Sequence, residues 1–583
     1  MRRLVAALLL AAAGACSDPA PPPPPGPASV VEAVSAQDLR VTYDTLLTRT
    51  AVVRVRDAGG RPVPGVPVRW AAQQSSVDPA ESLTDAIGEA RTTWRLRGIT
   101  AREIPARLEA AVLTTHGTRA VGFTAHVDPG APVVATVVRF DTLPRRTGLV
   151  VEVGQRVRFT TFGRDAFGNG VSDTPAAWSV HDTTRARIEA ATGVLTGVAQ
   201  GVVRVVAAIP GVRPVADARA LVVDPLRSRE VAAGANWSAP RAAAGAARCW
   251  GARFTGPFAP ADDVVPPTAV LPGTRLARLT GAGTAACAME EGAATVWCWR
   301  GRETGVGAPT PPVPQRALVG AGDAAAVTAL AVGDRSICAA DAAGAVRCAP
   351  YAVRPTAGGG ELDVGAAAPV ATLGPVTALA ASDSLTCGAV GDGVWCWTTS
   401  AAVTRTALAR CAVGLAASRL DVSPSRVWAG DAAGAVRCAP RVPAGFAVWV
   451  AAPLTAPLRT LAVGAYVLCG VTPDARLRCS GTNAAGLMQR RDFEPVPVEI
   501  DAPSPDGSGW SAVAVSDELM PPDQPGLAPH APHACAVTGA GRTYCWGANV
   551  RAQLGVPNEF PCGSRPSVPC SPTPLPVPSA SRD

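Results

Sequence analysis

The sequence predicts an all-β chain in which two β-sandwiches precede a run of seven repeated units. Three observations carry this. Gly 58 and Pro 56 in 583 residues are high, as many short strands joined by turns require. Between Val30 and Val223 short alternating apolar runs are separated by Gly- and Asp-bearing turns. Beyond that, a cysteine recurs at Cys249, Cys298, Cys348, Cys396, Cys438, Cys479 and Cys545, with gaps of 49, 50, 48, 42, 41 and 66 residues. A period of this length means a solenoid or a propeller.

Composition narrows the chemistry. Apolar residues at 48% and charged residues at 17% are globular values. The net charge of +7 comes from arginine alone, since the chain has no lysine, and the arginines are scattered. No nucleic-acid partner is expected, because phosphate recognition needs a concentrated basic face. Without lysine there is no phosphate loop ending in Gly-Lys-Ser/Thr and no Schiff base. Only five histidines exist, and no Gly-x-Ser-x-Gly or His-Glu-x-x-His appears. No catalytic residues, cofactor or metal are assigned.

At the N-terminus, Arg2 and Arg3 precede an apolar run from Leu4 to Ala13, then Ala-Gly-Ala-Cys at 13–16. This resembles a bacterial lipoprotein signal, with Ala13 where that family has Leu. The resemblance implies removal of residues 1–15 and acylation of Cys16, and Ser17 favours the outer membrane. Residues 16–29 then form the lipidated cysteine and a Pro-rich spacer, 19–27, stiffened by polyproline II preference.

Residues 30–128 read as a first sandwich. Ala51 to Arg56 alternates, Asp57-Ala-Gly-Gly60 turns, and Val66 to Trp70 resumes. The phrase VRVRDAGGRPVPGVPVRW, with TDAIGEA downstream, resembles bacterial Ig-like domains of the invasin and intimin type. In 131–224, RDAFGNGVSDTPAAWSVHD and ATGVLTGVAQGVVRVVAA resemble group 2 bacterial Ig-like domains, with Trp178 as core anchor. Asp57, Asp85, Asp165 and Asp173 offer calcium ligands at a junction, but the close spacing of a real loop is missing and turn formation is the better account.

Residues 225–583 carry the repeat. Its clearest copy is HACAVTGAGRTYCWGANVRAQLG at 533–555. A landmark of Leu or Val, two residues and a small residue precedes each first cysteine. It reads Val231-Ala-Ala-Gly234, Leu279-Thr-Gly-Ala282, Leu330-Ala-Val-Gly333, Leu379-Ala-Ala-Ser382, Leu415-Ala-Ala-Ser418, Leu461-Ala-Val-Gly464 and Val513-Ala-Val-Ser516. In four copies the cysteine follows five residues later. On this register the fifth copy inserts five residues and puts Trp428 at the cysteine position, and the first has Ala239 there. The seventh inserts fourteen residues, about 517–530. This pattern resembles the regulator-of-chromosome-condensation repeat in its exported bacterial form, which implies a seven-bladed β-propeller. The expected fold is thus two Ig-like β-sandwiches followed by a seven-bladed β-propeller.

Cysteines about ten apart across a hairpin favour disulfides in an exported chain. The expected pairs are Cys287–Cys298, Cys338–Cys348, Cys387–Cys396, Cys469–Cys479 and Cys535–Cys545, with Cys562–Cys570 closing a Pro-rich loop. Zinc would need cysteines two to four apart. Cys249, Cys411 and Cys438 remain, and the spacing leaves their pairing open: a Cys411–Cys438 bond would leave Cys249 free. Arg241 to Ala247 is helical by propensity, but the register demands a turn. Ring closure is expected between the C-terminal segment and the first unit. Trp250, Trp299, Trp397 and Trp546 are assigned to packing between units. His530, His533 and Cys535 are too few to hold a metal.

These readings converge on a non-catalytic, monomeric lipoprotein of the cell envelope, periplasmic or surface-exposed. It is anchored in the membrane by lipid and binds a protein or glycan partner through the repeats. The alternatives are a propeller-type inhibitor resembling the secreted beta-lactamase inhibitory protein, and an enzyme with a site in the propeller channel.

Overall fold

The computed structural model describes residues 23–579, apart from 43–46, 97–104, 140–148, 252–266, 301–313, 318–326, 355–360, 399–408, 482–486, 489–497, 517–531, 557–560, 563–567 and gaps of one to three residues. Cys16 and His530 lie outside them. The described elements are all β-strands. The chain divides into two compact units. One holds the residues up to 135 with 162–174 and 211–214; the other holds 136–161, 175–210 and 215–583.

In the first unit two sheets face each other across one core. Val53, Val55, Ala90 and Trp94 come from one sheet; Val68, Trp70, Leu108, Val112 and Phe123 come from the other. Alternation explains the layering, as in Pro67–Gln73, where Val68 and Trp70 are buried and their neighbours exposed. Asp57 and Asp165 are both buried, 3% exposed, and act as backbone acceptors. Asp57 takes the N–H groups of Gly26 (2.8 Å), Gly59 (2.9 Å) and Arg61 (2.9 Å). These bonds, Gly26 first, hold its carboxyl below the usual carboxylate range. Asp165 takes Gly130 N–H at 2.9 Å. Asp85 caps its own turn through Ile87 and Glu89 N–H. Asp57 and Asp85 are therefore turn-formers, with backbone amides where a cation would need open oxygens.

In the second unit, strands 149–152, 216–223, 201–208 and 177–180 form a four-stranded sheet with one parallel pair, Leu149–Glu152 against 220–223. Gly193 lies under Trp178: a Cβ there would meet the indole at 2.8 Å. Then follow, among the described residues, seven antiparallel sheets within 228–270, 276–317, 327–369, 378–412, 417–451, 462–502 and 510–576. In each the first three strands are consecutive in sequence, and in every one the first strand touches the next sheet. The seventh sheet's first strand, Trp510–Val515, touches Ser228–Gly234 of the first.

One hydrogen bond recurs between sheets. In five of them the residue four before the second cysteine has positive φ: Gly245, Gly344, Gly434, Ala475 and Gly541. Its carbonyl accepts the N–H of the residue three before the next landmark. The pairs are Leu276 to Gly245 (2.9 Å), Val376 to Gly344 (3.1 Å), Leu458 to Gly434 (2.9 Å), Trp510 to Ala475 (2.7 Å) and Ser228 to Gly541 (2.7 Å). The last joins the seventh sheet to the first by the bond that joins consecutive ones. Glycine is required where the approach is tightest, since a Cβ on Gly344 would sit 2.4 Å from Pro375 Cα and Val376 N.

Two expectations change. Ala417–Val422 pairs with Arg426–Asp431, placing Asp421 opposite Trp428. The fifth landmark is therefore Leu420-Asp-Val-Ser423, not Leu415–Ser418, and no residues are inserted. Asp421 hid the pattern because it replaces a small residue; its carboxylate takes the N–H of Val422 and of Val463 in the sixth sheet, both at 2.8 Å. Closure also differs. The C-terminal strand Val568–Pro576 pairs with Thr543–Ala548 inside the seventh sheet, and among the described residues it is 577–579 that hydrogen-bond the segment leading into the first. The Arg241 to Ala247 stretch is a turn, with Gly245 at φ 91, so register overrides its helical propensity.

Candidate functional site

The five hairpin disulfides form as expected: Cys287–Cys298, Cys338–Cys348, Cys387–Cys396, Cys469–Cys479 and Cys535–Cys545, each with Cα atoms 4.1 Å apart. Each pair is directly opposite in register. Cys570 is also disulfide-bonded. The side chains of Cys562, Cys411 and Cys438 lie outside the described residues, although the backbone sets Cys438 opposite Trp428. Cys249 is buried and free, and burial pushes its thiol well up. It is a packing group rather than a nucleophile.

The tryptophans after the second cysteines are interior. Trp397 packs with Cys338 and Cys348, Trp546 with Cys469 and Cys479, and Trp250 with Cys535 and Cys545. Each covers the preceding sheet's disulfide. Trp299 does the same to Cys249, donating Nε1–H to Sγ at 3.1 Å. At 0–1% exposure none can stack on a ligand. The fifth and sixth sheets exchange this arrangement. Trp428 fills the gap from the cysteine position among Leu454, Leu458, Val463 and Leu468, and the sixth sheet has Ser480 where the covering tryptophan would be.

The largest departure from the repeat is the connection 517–532. In the third, fifth and sixth sheets the first and second strands join through two residues, closed by Gly333 N–H to Ser336 (2.9 Å), Ser423 N–H to Arg426 (2.9 Å) and Gly464 N–H to Val467 (2.8 Å). In the seventh the same bond, Ser516 N–H to His533 carbonyl at 3.0 Å, spans sixteen residues. The hairpin is intact and the extra chain is grafted onto its tip.

Next to the Ser516–His533 closing bond lies a buried polar cluster. The Ser238 hydroxyl donates to the Gln553 carbonyl (2.9 Å), which also accepts Trp250 Nε1–H (2.8 Å). His533 Nε2 is 2.8 Å from Ser238 Oγ, so the His533 proton is assigned to Nε2. Burial lowers the His533 pKa to about 4, opposed weakly by the Trp237 backbone. His533 and Ser238 are fully buried, and Cys535 is in its disulfide. They join sheets and offer a metal or substrate no access. Among the described residues no group of three or more His, Cys, Asp and Glu is placed to hold a metal.

No family model matches the chain, and no curated protein does. Solved structures with some likeness include that of Kap60 bound to yeast RCC1 (Prp20), at 15% identity over 61% of this chain and 86% of the other, TM-score 0.40. Prp20p from Saccharomyces cerevisiae follows, described with its binding properties to Gsp1p and histones (14%, 61% and 88%, 0.39). Human WBSCR16 has 13% identity, covering 53% and 89%, with TM-score 0.38. At these scores they decide nothing about this chain.

Proposed function

We propose that the chain is a lipid-anchored envelope protein in which Ig-like modules carry a closed seven-bladed propeller, and that the propeller binds a protein or glycan through the end bearing 517–532. One observation carries this: a sixteen-residue connection stands on a hairpin whose closing bond is the same as in sheets with two-residue turns. Foldability does not require the extra residues there, and long loops held on rigid scaffolds are where recognition concentrates. The Ser228 to Gly541 bond supports a closed ring, since it repeats the stitch found between consecutive sheets. Disulfides inside the sheets fit an oxidising compartment.

The reading is tested with photo-cross-linking side chains in the envelope of living cells. Probes within 517–532 should yield discrete adducts, and probes at Ala342 or Ala343, in a second-to-third-strand turn, should not. Adducts from the latter alone would refute the assignment. Cys16→Ser should shift the protein from the membrane to the soluble fraction.

A further inference from the structure

Four groups of contacts meet where the seventh sheet adjoins the first. Residues 224–228 lie between two segments of the seventh sheet: Leu226 N–H donates to Val577 (2.7 Å), Thr543 N–H to Leu226 (3.0 Å) and Ser579 N–H to Asp224 (2.8 Å). The Glu152 carboxylate, at the end of strand Leu149–Glu152, accepts Tyr544 O–H at 2.9 Å and Arg542 Nη1–H at 3.1 Å. Gln200 Nε2–H donates to Ser579 carbonyl (3.0 Å), while its Oε1 accepts Asp224 N–H (3.3 Å). Val150, Leu221, Val223 and Val556 close one apolar cluster with Leu575 against it.

We propose that the sheet containing Leu149–Glu152 is the clasp of the ring, so that the segment 224–228 holds the seventh sheet to the first only while Glu152 and Gln200 grip both sides of it. Glu152 binds the strand on one side of the linker, 542–544, and Gln200 binds the strand on the other, at 579. The linker continues directly from strand Ala216–Val223, which pairs in parallel with the strand that ends at Glu152. Opening the seam therefore means pulling both strands off this sheet as well. Glu152 is nearly buried, 12% exposed, where a charge-assisted bond is strong. A sheet that served only as a spacer would need none of these groups.

The inference rests on the closed-ring reading and is separable from it. Hydrogen exchange is followed by mass spectrometry on the full chain, for peptides 224–231, 541–548 and 575–579, with 336–350 as control. Glu152→Gln and Tyr544→Phe should each speed exchange in all three seam peptides by about tenfold, and together by little more, with 336–350 unchanged. Acceleration confined to 149–152, or equal in the control, or absent, overturns the clasp. Failure of the ring itself reads differently, as unprotected seam peptides in the unaltered chain. Tyr544→Phe keeps the ring's packing, so it remains informative should Glu152→Gln not fold.

Discussion

His533 is fully buried as a neutral imidazole. Its folded pKa, lowered to about 4, lies below its unfolded value, so the unfolded chain binds the extra proton first as pH falls. Its contribution is complete above the unfolded value and declines to a floor as pH drops through about 4, a loss of about 3 kcal/mol. Urea midpoints at pH 7, 5.5 and 4 should fall across this window, and His533→Gln should flatten the fall. Glycines give a second residue-scale prediction. Gly344 and Gly292 have nearly equal φ, 77° and 76°, but only Gly344 has backbone where a Cβ would stand. Gly292→Ala should cost about 1 kcal/mol through strain alone. Gly344→Ala should cost at least twice that and move the thermal midpoint accordingly. Of this residue-level detail, the turn that holds Gly245 was legible from the repeat register. The role of Gly245, Gly344, Gly434 and Gly541 as acceptors for the next sheet was not, because it depends on neighbours in another sheet, and for Gly541 on Ser228 at the far end of the repeats.

At the scale of the element, the hairpin is the unit and its cysteines mark the register. Most of this was readable, since cysteine spacing and an apolar landmark are both local. The fifth copy was misread because its landmark carries Asp421 and its first cysteine is Trp428, so both signals failed together. The first sheet leaves a half-staple: the register sets Ala239 opposite Cys249, and both are fully buried. Ala239→Cys should therefore oxidise spontaneously, shown by loss of two hydrogens in the intact mass, and add about 3 kcal/mol for a loop this short. In the fifth sheet Trp428→Cys alone should not stabilise, because it empties a space that Ser480 cannot fill. Paired with Ser480→Trp it should recover the lost thermal midpoint, because the new indole would cover the preceding sheet as Trp397, Trp546 and Trp250 do.

For the molecule as a whole, the graft and the seam divide the labour. Replacing 517–532 with Asn-Gly, a favoured two-residue hairpin turn, should leave the five disulfides and the thermal midpoint nearly unchanged. Cross-linking to the partner should disappear with the loop. The opposite end of the seventh sheet is already engaged, since Tyr544 and Arg542 are held by Glu152. Burial first, then the Glu152 charge, raises the Tyr544 phenol, so the group stays a donor throughout the physiological range.

By itself the sequence determined the all-β class, the seven-unit period, the disulfide ladder and the place of the graft, because each depends on residues within one hairpin. Only the tertiary structure decided how sheets are stitched, where Trp428 and Ser480 exchange roles, and which strands flank 224–228. Those contacts join residues up to 392 apart, as Glu152 and Tyr544 are. No local spacing encodes a pairing made by the return of the chain upon itself.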